Sequence, residues 1–229
     1  GGKFPEEHVK EYRRRVPHTS IYLMYGLTEA FRSTYLDPDQ VDVRPTSIGK
    51  AIPNAEVLVV DEQGRSCAPN EVGGLVHRGA HVALGYWNDP ALTRQRFRRN
   101  PLQPDALPVD EWAVFSGDLV RRDEEGYLYY VGRKDHMIKT SGFRVSPTEV
   151  EEYFYNTGLV QDVVAFGIPD PILGEKIKVT LSFRPDVEME GAELLSMVSR
   201  QMPSFMVPKE IQVMSSLPKT SSGKLDRPL

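Results

Sequence analysis

The 229-residue sequence predicts a mixed α+β (α/β-like) chain in two parts, strand-rich over residues 1–133 and a small α+β unit over 134–229. Three observations carry this. Short apolar runs bounded by glycine, proline and acidic turns dominate the first part. In the second, helical periodicity from Pro147 to Tyr155 and from Gly191 to Gln201 alternates with strand-like runs. The stretch from Asp135 onward, roughly a hundred residues, is the usual size of a small independent domain.

Taken in order, Pro5 to Arg15 reads as an amphipathic helix, because proline and acidic residues open it and arginines close it. Ser20 to Met24 is an apolar run that delivers Tyr25-Gly26 to a strand end, where ligands sit in α/β sheets. Ala55 to Asp61 and Val72 to Gly79 are strands separated by the Glu62-Gln63-Gly64 turn. Pro90 to Arg98 is a short helix, and Asn100 to Pro108 a proline-rich loop. Glu111 to Val120 and Gly126 to Val131 are strands joined at Asp123-Glu124-Glu125-Gly126. Beyond Asp135, Val150, Tyr153 and Phe154 form one helical apolar stripe, Val160 to Ile168 and Lys176 to Phe183 are strands, and Glu210 to Val213 is a last strand before a polar tail.

Composition excludes several function classes. With hydrophobic residues at 40% and charged residues at 26%, the chain is an ordinary globular sequence and not a disordered one. A formal charge of -4 gives no electrostatic case for nucleic acid or an anionic membrane surface. Arg13-Arg14-Arg15 and the group Arg94, Arg96, Arg98 and Arg99 read as solvated helix faces. The single cysteine, Cys67, excludes an internal disulfide and fits a reducing, cytoplasmic setting; it reads as inert. No apolar run is long enough to span a bilayer and no signal peptide is visible, while the start at Gly1-Gly2 reads as a processing boundary. His77 and His81, four apart on a strand, would point the same way, but no third ligand accompanies them and a metal site there is not expected.

Five segments carry the chemistry: Tyr25-Gly26-Leu27-Thr28-Glu29, Ser116-Gly117-Asp118, Gly132-Arg133-Lys134-Asp135, Ser141 to Glu151, and Lys219-Thr220-Ser221-Ser222-Gly223-Lys224. A carboxylate, a guanidinium and a loop lysine are what a nucleotide needs at its ribose and phosphate ends. Taken singly, each has an ordinary structural reading: Tyr25 as a core tyrosine, Glu29 as a solvated helix-start carboxylate, Asp118 as a turn or cap residue, Arg133 to Asp135 as an exposed linker, Lys224 as a tail lysine. Their ordered co-occurrence decides between the readings, because chance would have to reproduce each separately.

Together these segments resemble the adenylate-forming, AMP-binding enzyme superfamily, which includes acyl-CoA synthetases, peptide-synthetase adenylation domains and luciferases; Gly85-Tyr86-Trp87 resembles a further motif of that family. The resemblance implies the C-terminal part of the large adenylating domain over 1–133 and a small mobile C-terminal domain over 134–229, with a hinge near Asp135. It implies a ligase in which a small carboxylic acid attacks the α-phosphate of Mg-ATP to give an acyl-adenylate and pyrophosphate. A thiol, of coenzyme A or of an acyl or peptidyl carrier protein, then takes the acyl group. Carried over by motif, Lys224 is the catalytic lysine that bridges phosphate and acyl carboxylate. Asp118 accepts the ribose hydroxyls, Arg133 contacts ribose or phosphate, Tyr25 packs on adenine and Thr28 contacts phosphate. Glu29 is the magnesium ligand, Gly142 lines the pantetheine channel and Arg144 is a further candidate for the phosphate or thiol substrate.

One expected part is missing from the pattern. The family's Gly/Ser/Thr-rich phosphate loop lies upstream of the Tyr25 segment, and nothing in Gly1 to Ser20 resembles it. Ser222-Gly223-Lys224-Leu225 is no substitute, since it lacks the earlier glycine and the Ser/Thr after the lysine. The sequence therefore reads as the C-terminal portion of an AMP-forming acyl-CoA ligase, inactive as an isolated piece and prone to self-association at strand edges. Two alternatives stay open: an adenylation domain loading a carrier protein, and a non-catalytic assembly module that keeps the hinge domain.

Overall fold

The structure is a computed structural model that describes residues 6–221 and 223–227. The Gly1-Gly2 start, the expected helix start at Pro5 and Ser222 of the tail motif lie outside the described residues. The chain divides into two compact units, one over Tyr12–Lys134 and one over Asp135–Leu229 together with the segment ending at Glu11.

The Tyr12–Lys134 unit is built on strands β1 (Leu23–Leu27), β2 (Ala30–Leu36), β3 (Ser47–Ala51), β4 (Ala55–Val60), β5 (Val72–Gly79), β6 (Phe97–Arg99), β7 (Trp112–Arg122) and β8 (Leu128–Arg133). They form one sheet in the order β1-β2-β3-β8-β7-β5-β4, with β6 paired to β7, and all these pairings are antiparallel. Antiparallel pairing lets short turns join neighbours, which suits the many Gly, Asn and Asp turns of this part. Val59, Leu75, Val120 and Leu128 are buried together, with Tyr25, Ile48 and Val57 packed against them. Burial of such side chains stabilises by roughly 1.5–3 kcal/mol each. Cys67 is buried in the same cluster, and burial pushes its thiol up, as an inert cysteine requires.

The helix expected to run to Arg98 stops earlier. Helix α2 (Pro90–Arg96) is capped by the Asp89 carboxylate, which accepts from Leu92 N at 2.9 Å, and Phe97 is already extended at φ -101, ψ 116. Tertiary pairing wins over local propensity here, because Phe97 joins β6 opposite Val114 and is buried. Strands β2 and β3 have no counterpart in the sequence reading. β2 carries Arg32, Ser33 and Thr34 among its apolar residues and β3 has a mid-strand glycine, so neither shows clean alternation.

The second unit contains α1 residues up to Glu11 (the helix spans Glu6–Arg15), β9 (Ile138–Thr140), β10 (Phe143–Val145), α3 (Pro147–Tyr155), β11 (Val160–Asp170), β12 (Gly174–Phe183), α4 (Gly191–Ser199) and β13 (Glu210–Val213). Its sheet runs β10-β9-β12-β11, and β13 pairs with β12 in parallel. Ser146 caps α3 by accepting from Glu149 N, Pro147 opens the helix, and Val150 and Phe154 face the core as the apolar stripe predicts. Phe154, Ile177, Leu181 and Leu194 are fully buried in this core. Among the described residues no helix is long and apolar enough to cross a membrane.

Candidate functional site

Ser116-Gly117-Asp118 lies inside β7, not in a turn or cap. Opposite it β5 advances from Gly74 to Val76 while β7 advances from Leu119 back to Phe115, so β7 carries extra residues and bulges. The Ser116 hydroxyl fills the gap in the ladder: it donates to Leu75 O at 2.8 Å and accepts from Asp118 N at 3.0 Å. Gly117 supplies the left-handed backbone this bulge needs, at φ 79. The result aims a buried carboxylate, Asp118, out of the sheet.

Three strands then converge on that carboxylate. Arg133 is the cross-strand partner of Asp118 between β8 and β7, and its guanidinium Nη1 donates to Asp118 Oδ1 at 3.3 Å. Tyr25, on β1, donates its hydroxyl to Asp118 Oδ2. The Tyr25 ring lies stacked on His77 at 5.9 Å and tilted against Tyr130 at 6.4 Å. Burial raises the Asp118 carboxyl above the usual carboxylate range, with Glu29 adding to the rise; the Tyr25 hydroxyl, Arg133 and Arg96 work in the opposite direction. The Tyr25 phenol is pushed far up, by burial first and by the neighbouring Asp118 charge, so it stays a neutral donor.

Glu29 is not at a helix start. It sits in the turn between β1 and β2, half-buried, where Tyr86 donates its hydroxyl to Glu29 Oε1. Burial pushes the Tyr86 phenol up to about 12, with the Glu29 bond and charge adding to it. Thr28 is exposed in the same turn. Among the described residues no group of three or more His, Cys, Asp or Glu stands ready for a metal. A single carboxylate such as Glu29 still fits magnesium, an ion held by one or two carboxylates plus substrate phosphates. The strand carrying His77 ends at Gly79, so His81 does not continue the same face; its Nε2 lies 3.3 Å from Ser33 Oγ. Both nitrogens of His77 are buried without a hydrogen-bond partner among the described residues.

The four arginines do not share one helix face: Arg94, Arg98 and Arg99 are exposed as expected, but Arg98 and Arg99 lie on β6, and Arg96 is half-buried. Arg98 stacks on the Phe115 ring at 3.6 Å and Arg99 pairs with Asp110 at 3.1 Å, while Arg96 turns toward Gly117. Four arginines in six residues gave no sequence signal to separate them. What separates them is the strand that begins at Phe97.

The remaining candidates lie in the other unit. Asp135 is exposed in a 3-10 turn over Lys134–His136. Gly142 is not within a strand: Ser141 and Gly142 form the tight turn between β9 and β10, at φ 51 and 82, as a two-residue hairpin with matching twist requires. A Cβ on Gly142 would meet nothing within 4 Å. Arg144 is exposed on β10. Lys224 is exposed in a closed tail turn, where Lys219 bridges Leu225 and Thr220 N donates to Lys224 O at 2.8 Å. The tail is tied down beyond it, since Arg227 donates to both carboxylate oxygens of buried Glu151, at 2.5 and 2.7 Å.

With Tyr25, Asp118 and Arg133 on one sheet, comparison with known proteins decides the family. The model of the AMP-binding enzyme matches residues 1–87, and that of the AMP-binding enzyme C-terminal domain matches residues 149–224. The chain belongs to the adenylate-forming, AMP-binding enzyme family. It is 34% identical over 229 residues to the long-chain-fatty-acid–CoA ligase of Salmonella typhimurium, covering 99% of this chain and 38% of that protein. It is also 34% identical over 233 residues to surfactin synthase subunit 2 of Bacillus subtilis, covering 99% of this chain and 6% of that protein. Among solved structures, ATP-bound MatB from Rhodopseudomonas palustris superposes with a TM-score of 0.83 at 26% identity, over 96% of this chain and 42% of that one. This adenylate-forming chain thus spans well under half the length of its fatty-acid ligase relative, and the mixed α+β fold is that of adenylating enzymes.

Proposed function

We propose that the chain is the C-terminal portion of an AMP-forming acyl-CoA ligase, which activates a carboxylate with ATP and transfers the acyl group to the thiol of coenzyme A. The observation that carries this reading is the meeting of Asp118, Tyr25 and Arg133 from three strands. Asp118 is already held by one hydroxyl donor and has acceptor capacity left over, since a carboxylate offers about four lone-pair sites. The two hydroxyls of a ribose are the same kind of donor. Arg133 keeps the carboxylate charged and oriented. In this reading Glu29, beside Thr28, is the carboxylate for magnesium; when bound, the ion supplies charge neutralisation at the phosphates.

Lys224 supplies a compact cation on a flexible stem, suited to the oxygens of a carboxylate attacking phosphorus. Its task is electrostatic. Asp135 is the hinge of the reading, and Gly142 and Arg144 face the thiol substrate in the second step; a glycine that meets nothing within 4 Å leaves room for a pantetheine arm. The isolated chain lacks the phosphate loop and is proposed to be inactive alone. The test is pyrophosphate exchange and thioester formation by the full-length protein against a carboxylate panel. Absence of AMP formation with every carboxylate would refute the reading.

A second reading has its own support: surfactin synthase subunit 2 is as similar in sequence as the fatty-acid ligase is. Here the acceptor thiol belongs to a carrier protein. Supplying a preformed acyl-adenylate with coenzyme A in one arm and a pantetheinylated carrier protein in the other separates the two.

A further inference from the structure

Arg96 is the last residue of α2, fixed in place because the next residue, Phe97, is buried and paired to Val114 of β7. It is half-buried, whereas Arg94, Arg98 and Arg99 are exposed. Its guanidinium lies against Gly117: a Cβ built there would come within 2.8 Å of Arg96 Nη1 and 3.1 Å of Arg133 Nη2. Two guanidinium groups therefore flank one glycine, immediately before Asp118. Arg133 has Asp118 as its acceptor, but Arg96 makes no hydrogen bond or ion pair among the described residues. The Asp118 carboxylate offsets part of the charge of this pair, so what Arg96 offers is a fork of N–H donors with no hydrogen-bond acceptor among the described residues, which a phosphate can take.

We propose that Arg96 is a phosphate-binding residue of the nucleotide site, acting with Arg133 across Gly117 on the phosphate of a nucleoside monophosphate. The inference rests on the reading of Asp118 as the ribose carboxylate. A ribose held there carries its phosphate on the same sugar, one ring away, and Glu29 and Tyr86 border the same region. A guanidinium is matched to phosphate, because its planar fork presents paired N–H donors to two oxygens. Charge-assisted bonds of this kind are among the stronger hydrogen bonds a side chain makes, so the contact is large enough to measure.

The experiment is calorimetric titration of the full-length protein with AMP and, separately, with adenosine. Arg96→Gln is expected to weaken AMP roughly tenfold or more while leaving adenosine unchanged, because only AMP carries the phosphate. Arg96→Lys should retain part of the AMP preference. Unchanged AMP affinity, or equal losses for the two ligands, overturns the proposal. Should Arg96→Gln fail to fold by circular dichroism, Arg96→Met, with an unbranched stem and no charge, is judged by the same ratio. Asp118→Asn separates the two levels of inference. It should weaken both ligands, and if it weakens neither, the ribose reading has failed, whereas a failure confined to Arg96 leaves that reading standing.

Discussion

Tyr25 donates its hydroxyl to Asp118 from a strand that is not a neighbour of the one carrying the carboxylate, so the acid is held both by Arg133 of the adjacent strand β8 and by a residue from β1, beyond β8 in the strand order. The bond opposes the rise in the Asp118 pKa that burial causes. Tyr25→Phe removes the donor and keeps the ring, so the Asp118 carboxyl should move further up. A ribose needs the charged form, and binding is therefore lost as pH falls through the pKa of the free protein. In Tyr25→Phe that loss should begin at higher pH than in the parent. AMP affinity measured across pH in both proteins checks this; an unmoved midpoint would show that the hydroxyl does not tune the acid.

Lys224→Ala separates the half-reactions. The ammonium has a charge to stabilise only while carboxylate attacks phosphorus, so adenylation should fall roughly a hundredfold to a thousandfold, the usual cost of removing one transition-state partner. Thioester formation from supplied acyl-adenylate should persist near the parent rate. Pyrophosphate exchange and single-turnover thiolysis by the full-length protein read the two steps. Equal loss in both would contradict an adenylation-only role.

How far the sequence went depends on which forces fix each element. Helix α3 was legible to the residue, because the apolar stripe of Val150, Tyr153 and Phe154 is a local signal. The hairpin of β11 and β12 was legible as two apolar runs, its ends set a few residues further out by pairing. Strands β2 and β3 were not, since their stability comes from cross-strand partners and not from their own pattern. In the site, Asp118 and Arg133 were legible as motif residues, yet their direct pairing is a matter of register between β7 and β8. Arg96 was invisible for the same reason: the sequence shows four alike arginines, and only the start of β6 singles one out.

His77 should make the fold acid-sensitive. Its ring is fully buried between Tyr25 and the neighbourhood of His81, and burial, with a smaller push from His81, lowers its pKa from 6.5 to about 3. Between those values the unfolded chain binds a proton that the folded one refuses, so stability falls as pH drops from 6.5, by about 1.4 kcal/mol per pH unit at most. His77→Phe keeps an aromatic ring against Tyr25 and removes the proton site. Its Tm should gain on the parent steadily from pH 7 to pH 5. Parallel Tm profiles would mean that His77 is not the acid-labile group.

Arg227 and Glu151 anchor the tail that carries Lys224. The carboxylate is 6% exposed and takes both guanidinium donors, while its Oε1 also accepts from Ala165 N at 2.8 Å. Arg227→Ala would leave a buried charge without its cation. Breaking a buried pair costs about 3–5 kcal/mol, reduced here toward roughly 2–4 kcal/mol because Arg227 is 29% exposed and partly solvated. The tail is also tied by Lys219 to Asp162 at 3.4 Å, a partly exposed pair worth little by itself, so the loss should be local at first: trypsin should cut at Lys219 and Lys224 sooner than in the parent. Replacing both partners, as Glu151→Leu with Arg227→Met, removes the orphaned charge and should recover most of the stability. Denaturant unfolding of the two variants separates the cost of a stranded carboxylate from the worth of the pair, and equal losses in both would assign the effect to packing.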